Sequence, residues 1–217
     1  MPTHPLLVRS LSALAFVLLP GIAQATPSPA ETHLDFTVLK NGSPIGHHWI
    51  DLIRNGDNET VSIKTNILVR MAYVPVYRFE HTGSEVWQHG HLVSLRSQTN
   101  DDGEEHSLVV GAKNDHIEID GDGLRSQADS GIIPASLWNH DLVTQGVLLN
   151  TLTGKQMPVR VDTLGEEPVS AHGTETRALH YRVTGELQRD LWYDRSGTLV
   201  QVKFKAKDAS DILYVLE

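Results

Sequence analysis

Three polar residues in the middle of the chain have the side chains of a hydrolytic triad. Ser136, His140 and Asp141 lie close together, and a helix would place Ser136 and His140 on one face because residues four apart are neighbours there. However, the Gly-x-Ser-x-Gly turn that exposes a nucleophilic serine is absent, and adjacent His and Asp side chains point in different directions. We therefore interpret Ser136 as a helix N-cap followed by polar surface, and we predict no catalytic residues.

Histidine is plentiful, with 12 residues in the chain, and imidazole is a common ligand of zinc and copper. His89 and His91 could lie on one face of a strand, but Gly90 between them indicates a turn. His47 and His48 are adjacent and would lie on opposite faces of a strand. These patterns favour solvated or hydrogen-bonded histidines, and we predict no metal site and no cofactor.

Residues 77–87 carry aromatic side chains that could line a cavity. In a strand, Tyr77, Phe79 and His81 share one face, while Arg78 and Glu80 lie on the other. An inward aromatic face would place His81 at the cavity mouth, although core packing is the commoner role of such large side chains. The predicted ligand-binding residues are Tyr77, Phe79, His81, Trp87, Trp138 and Asn139.

The first 25 residues have the pattern of a secretory signal peptide. Arg9 precedes an apolar run over residues 11–19, which is too short to span a bilayer, and the small residues Ala23 and Ala25 form a cleavage site. We predict cleavage after Ala25 and a periplasmic or secreted protein. The chain contains no cysteine, so we expect neither a lipid anchor nor disulfides.

Composition restricts the possible partners. The formal net charge of −9 disfavours nucleic acid, because nucleic-acid binding depends on neutralising phosphates with basic side chains. No second apolar run approaches about 18 residues, so we predict no transmembrane helix. The oligomeric state is left open.

Most of the chain alternates between apolar and polar residues, as half-buried strands do. Turn residues such as Asn41-Gly42 separate the alternating segments, which is typical of an antiparallel meander. The expected strands cover residues 32–40, 45–54, 59–69, 76–88, 91–99, 105–113, 116–120, 156–164, 177–184, 188–193, 199–205 and 211–216.

One segment, residues 134–154, interrupts this pattern. Ser136 is a plausible helix N-cap, Trp138 and Leu142 lie four apart, and Gly146 is a natural helix stop. The sequence therefore predicts a short helix near residues 136–145. Because a sheet of about a dozen strands curls, we predict a mainly β protein with one domain over residues 26–217. The sheet would be a strongly curved antiparallel meander or half-open barrel, with the helix as a plug in its concave side.

The chain resembles an uncharacterised family of exported bacterial proteins. The resemblance covers nearly the whole mature chain, and its most distinctive part joins Ser136-Leu137-Trp138-Asn139 to the segment at residues 149–154. Further matching segments are Asp35-Phe36-Thr37-Val38 with Gly46-His47, residues 77–81 with Trp87, and Asp190-Leu191-Trp192-Tyr193. The resemblance implies a fold similar to periplasmic lipoprotein carriers, but no activity and no catalytic residues.

Two functional classes follow from these observations. The first is a non-catalytic periplasmic binder or carrier that holds a small amphipathic or lipid-like ligand inside the curved sheet. The alternative is a periplasmic hydrolase that uses His81 with Glu80, or Ser136 with His140. The absence of a catalytic signature favours the binder.

Overall fold

Alternating apolar residues become strands along almost the entire chain. The computed structural model describes Met1 and residues 29–217, so the predicted signal peptide lies, apart from Met1, outside the described residues. The described residues form fifteen strands: β1 (Ala30–Lys40), β2 (Ser43–Asn55), β3 (Asn58–Met71), β4 (Val74–Gln88), β5 (His91–Asp101), β6 (Glu104–Ala112), β7 (His116–Gly121), β8 (Leu124–Asp129), β9 (Ile133–Pro134), β10 (Val147–Leu149), β11 (Gln156–Ala171), β12 (Thr174–Gly185), β13 (Arg189–Tyr193), β14 (Leu199–Lys205) and β15 (Asp211–Leu216).

All strands belong to one open sheet in the order β8-β7-β6-β5-β4-β3-β2-β1-β15-β14-β13-β12-β11-β10-β9. Neighbouring strands are antiparallel except β9 and β10, which are parallel. The two halves of the meander meet where β1 pairs with β15, with Phe36 opposite Leu216. The predicted mainly β fold with an antiparallel meander is confirmed, and the sheet is not closed into a barrel.

The period-two pattern places one set of side chains inside the sheet. On β1, Leu34, Phe36 and Val38 are buried, and on β3 Val61 and Ile63 lie on the same face. Leu34, Phe36, Val61 and Ile63 belong to one hydrophobic cluster that extends over most of the strands. Burial of this apolar face is the main driving force for folding the sheet.

The sheet is strongly curved. The indole of Trp138 donates a hydrogen bond to Glu85 on β4. Leu137, the residue before Trp138, accepts a hydrogen bond at its carbonyl oxygen from the hydroxyl of Tyr193 on β13. Six strand-to-strand steps separate β4 from β13. In a flat sheet those steps would span roughly 29 Å, since neighbouring strands lie about 4.8 Å apart. Two adjacent residues can reach both strands only because the sheet wraps around them.

The predicted α-helix over residues 136–145 is wrong. The described chain contains a single 3-10 helix, His140–Thr144, whose N-cap is Asn139 instead of Ser136. Leu137 has a left-handed backbone with φ of +69°, which a helix starting at Ser136 does not allow. The Tyr193 hydroxyl holds the Leu137 carbonyl at 2.6 Å. Tertiary contacts thus override the helical spacing of Trp138 and Leu142, both of which are nevertheless buried.

Residues 132–154, which we call the inner segment, occupy part of the concave side of the sheet. Ser97 on β5 donates to the carbonyl oxygen of Thr151 at 2.5 Å, and Leu142, Leu148 and Leu149 are fully buried. The inner segment therefore fills one end of the concave side without a plug helix.

Candidate ligand-binding cavity

The other end of the concave side is a cavity of about 1760 Å³. Strands β3 and β4 form one wall, which includes Ile67, Val69 and Phe79. Strands β14 and β15 form the opposite wall, which includes Phe204 and Tyr214. The curvature of the sheet brings these two pairs of strands face to face across the cavity.

Strand register explains why the walls are apolar. Ile67 lies opposite Phe79 in the β3–β4 pair, and the rings of Phe204 and Tyr214 lie 6.0 Å apart across β14 and β15. Gly46 lies opposite Ile67 on the other side, and a Cβ atom at this glycine would overlap the carbonyl oxygen of Asn66. The glycine allows close backbone approach beside the cavity wall.

A row of polar side chains, all buried except the part-buried His48, crosses strands β2 to β5 next to this wall. His48 lies opposite Thr65, Thr65 opposite His81, and His81 opposite Thr99. The Nδ1 atoms of His48 and His81 hydrogen-bond the hydroxyls of Thr65 and Thr99 at 2.7 and 2.8 Å. Burial lowers the pKa of His48 to about 3 and that of His81 to about 4, so both rings are neutral at physiological pH.

Seven Lys and Arg residues line the cavity, and one of them, Arg189, lies against an aromatic side chain of its wall. The guanidinium of Arg189, at the start of β13, stacks on the ring of Phe204 with its Cζ atom 3.7 Å from the ring centroid. Its Nη1 atom donates to the carbonyl oxygen of Gln188 at 2.8 Å. Burial lowers the pKa of Arg189, but an arginine remains protonated in proteins. The cavity therefore holds a fixed positive charge against an aromatic ring.

The turn between β3 and β4 forms an exposed apolar rim at the cavity mouth. The side chains of Met71, Tyr73, Val74 and Val76 are largely exposed, and Tyr73 is 95% exposed. Met71 and Val76 also line the cavity. Clustered exposed apolar side chains are typical of interaction sites.

The predicted ligand-binding residues fall into two groups. Tyr77 and Phe79 line the cavity, and the Tyr77 hydroxyl donates to Asp101 at 2.7 Å. His81 lies behind them in the buried polar row, with its ring stacked on Phe79 at 6.4 Å.

The second group lies in the core and does not line the cavity. Trp87 and Trp138 pack edge to face with their centroids 5.6 Å apart, and both indole N–H groups donate to Oε2 of Glu85. Asn139 caps the 3-10 helix by accepting a hydrogen bond from the backbone N–H of Asp141. Ligand binding by either group stays a prediction.

The two residue pairs of the hydrolase hypothesis are not joined by hydrogen bonds. Glu80 pairs with Arg78, whereas His81 points the other way and bonds Thr99. Ser136 is buried, and its hydroxyl neighbours the Glu85 carboxyl group. The His140 ring lies 3.3 Å from the Tyr181 hydroxyl instead. No general base is therefore placed against a nucleophile in either pair.

The histidines considered as metal ligands lie in separate surroundings. His89 is exposed in the β4–β5 turn, 3.4 Å from Asp57, and His47 stacks on Trp49. Within the part of the chain that the structure describes, no three His, Asp or Glu side chains converge on one point. The same residues contain no helix with the length and hydrophobicity needed to cross a bilayer.

Sequence reasoning did not identify Arg189, Phe204 or Glu85 as important residues. Glu85 lies on the same face of β4 as Phe79 and His81. Strand alternation alone therefore predicts a charged residue at a core position. The stacking of Arg189 on Phe204 depends on the pairing of neighbouring strands, and no local sequence pattern predicts it.

The protein is an open, curved antiparallel sheet whose concave side contains a cavity large enough for a small ligand. The chain belongs to the family described as domain of unknown function (DUF6134), whose model matches residues 36–217. The predicted membership of an uncharacterised family is confirmed. No curated protein matches the chain.

Proposed function

We propose that this protein is a non-catalytic binder or carrier of a small amphipathic or lipid-like ligand, which it holds in the concave cavity. The observation that carries the proposal is the cavity itself, about 1760 Å³ in volume, between the apolar walls of β3–β4 and β14–β15. Small-molecule sites usually measure about 300–1,000 Å³, so the space is sufficient for a chain-like ligand.

The chemistry of the walls supports an apolar chain as the buried part of the ligand. Ile67, Val69 and Phe79 present hydrocarbon to the cavity, and removing the apolar surface of a ligand from water favours binding. The exposed rim at residues 71–76 gives an apolar entry path. Polar side chains that line the same cavity, such as Tyr77 and Arg189, suit a ligand with one polar end.

A periplasmic or secreted location is part of the proposal and depends on the signal-peptide pattern in residues 1–25. The resemblance to periplasmic lipoprotein carriers also stays a prediction. N-terminal sequencing of the exported protein should begin at Thr26. An intact Met1 on the exported protein would contradict cleavage.

The cavity can be tested with a neutral fluorescent amphiphile, N-phenyl-1-naphthylamine, and with mass spectrometry of organic extracts from the purified protein. Val69→Trp places a bulky ring against the cavity wall and should weaken probe binding and reduce the amount of co-purified lipid. Val109→Trp is a matched control, because Val109 on β6 is exposed on the outer face and is 42% accessible. Equal probe binding by both variants, or none by the wild type, would contradict the proposed site.

A further inference from the structure

We infer that the ligand carries an anionic head group, a carboxylate or a phosphate ester, and that Arg189 binds it. This inference rests on the proposed function, because it assigns the polar end of the ligand held in the same cavity. Nothing in the family description indicates the chemistry of a ligand, so the assignment depends on the surroundings of Arg189 alone.

Arg189 is directed inward by its strand. It lies opposite Val183, which is buried, and two residues before Leu191, which is fully buried on the same face. Stacking on Phe204 fixes the plane of the guanidinium. One of its five N–H groups donates to the backbone at Gln188, and no other hydrogen bond from this side chain to residues 29–217 is found. The remaining donors are available to a ligand.

The carboxylates that line the cavity have other partners. Each of the five bonds a different side chain, and none forms a salt bridge with Arg189 among the described residues. The pairs are Asp101 with Tyr77, Glu186 with Lys155, Asp190 with Arg182, Asp208 with Lys40, and Asp211 with Lys205.

An arginine in an apolar wall without a counter-ion is unfavourable, because a partly desolvated charge is stabilised mainly by pairing. The protein has more acidic than basic residues, yet no carboxylate among the described residues pairs with Arg189. Stacking on Phe204 offsets part of the cost through a cation–π contact. A planar guanidinium binds carboxylates and phosphates through two parallel hydrogen bonds. An anionic head group would therefore complete the site, with its chain along Ile67 and Phe79.

The test compares three single-chain probes of equal chain length: hexadecanoate, hexadecyl phosphate and hexadecanol. The assay measures how well each probe displaces N-phenyl-1-naphthylamine from four proteins: the wild type, Arg189→Gln, Arg189→Lys and Lys207→Gln. Lys207 is a matched control, because it is a cation at the cavity rim that is exposed to solvent. Inorganic phosphate alone is included to separate a free anion from a lipid head group.

We expect the wild type to prefer both anionic probes over hexadecanol by about tenfold or more, since a hydrogen bond to a charged group is worth about 1.5–3 kcal/mol. Arg189→Gln should remove this preference while hexadecanol still binds, Arg189→Lys should keep part of it, and Lys207→Gln should retain it. Inorganic phosphate should not displace the probe, and if it does, the site binds free anions and the lipid assignment is wrong.

Two different failures can be told apart. Equal affinity of the wild type for hexadecanoate and hexadecanol would overturn the role of Arg189 and leave the cavity as a binding site. Binding of none of the three probes would overturn the proposed function as well. If Arg189→Gln does not fold, the preference of the wild type and its reduction in Arg189→Lys and at high salt still decide the question, because charge pairing is screened by salt.

Discussion

The indole N–H of Trp138 donates a hydrogen bond to Oε2 of Glu85 at 2.9 Å, across 53 positions of sequence. Trp87 donates to the same oxygen at 2.8 Å. Glu85 is fully buried, so a single carboxyl group joins the inner segment to β4 in the core. None of these three residues lines the cavity, so their contacts serve the packing of the inner segment.

Replacing Trp138 by alanine should strongly destabilise the protein. Truncation of a buried Trp costs about 3–5 kcal/mol, a large share of a typical total of about 5–15 kcal/mol. Trp138→Phe keeps most of the packing but loses the donor to Glu85, so we expect about 1–2 kcal/mol. Urea unfolding measures the change in unfolding free energy for both variants. Because Trp138 does not line the cavity, Trp138→Phe should still bind N-phenyl-1-naphthylamine; unchanged stability with lost binding would instead make Trp138 a ligand-binding residue.

Glu85 should make the protein less stable as pH rises. Burial raises the pKa of Glu85 above its ordinary value of 4.5, although the hydrogen bonds it accepts oppose the rise. The folded state therefore keeps a proton that the unfolded chain loses above pH 4.5. The stability contribution is full below that pH and is lost as pH rises towards the folded pKa, at about 1.4 kcal/mol per unit.

Glu85→Gln should accordingly remove the loss of stability that the wild type shows as pH rises. The amide oxygen can still accept both indole N–H groups, so the unfolding free energy at pH 8 should equal or exceed that of the wild type. Glu85→Ala should be destabilising at every pH, because it leaves two buried N–H groups without an acceptor. Urea unfolding at pH 5 and pH 8 checks this, and a Glu85→Gln variant with the wild-type pH slope would contradict it.

The sequence predicted most strands because period-two alternation and turn residues are local signals. The expected strand at 105–113 differs from β6 by one position at each end, and alternation puts Tyr77 and Phe79 on the same strand face. Strand β8 was missed because its only buried residue is Ala128. The expected helix failed because the left-handed Leu137 is held by Tyr193, which is distant in sequence. Likewise, the contact of Arg189 with Phe204 depends on strand pairing that no local pattern contains.

His81 should make the protein less stable in acid. Burial lowers its pKa from 6.5 to about 4, so the folded state favours the neutral ring. The resulting contribution is present above pH 6.5 and is lost as pH falls towards 4, by roughly 3 kcal/mol at most. His81→Gln can still hydrogen-bond Thr99 and should show a shallower loss of stability between pH 6.5 and 4.

An exposed histidine provides the control for this prediction. His89 lies in a turn with 67% of its side chain accessible, so His89→Gln should keep the acid sensitivity of the wild type. Nuclear magnetic resonance titration should show no protonation of the His81 ring between pH 5 and 8. Titration of that ring near 6.5 would mean that the polar row beside the cavity is open to water.

Gly121 should be intolerant of any side chain, because the inner segment lies directly against it. A Cβ atom at this position on β7 would overlap the carbonyl oxygen of Thr153, a backbone atom that cannot rotate away. The Asn150 side chain holds that turn by accepting the backbone N–H groups of Leu152 and Thr153. Gly121→Ala should therefore destabilise the protein by about 1–3 kcal/mol, as overpacking does.

Gly111 on β6 is the matched control for this prediction, because a Cβ atom there meets no atom within 4 Å. Gly111→Ala should be neutral or slightly stabilising, since alanine lowers the entropy of the unfolded chain. Urea unfolding of both variants isolates the contact between β7 and the turn at Thr153 from the general effect of replacing a strand glycine. Equal stability of the two variants would mean that this turn does not pack on β7.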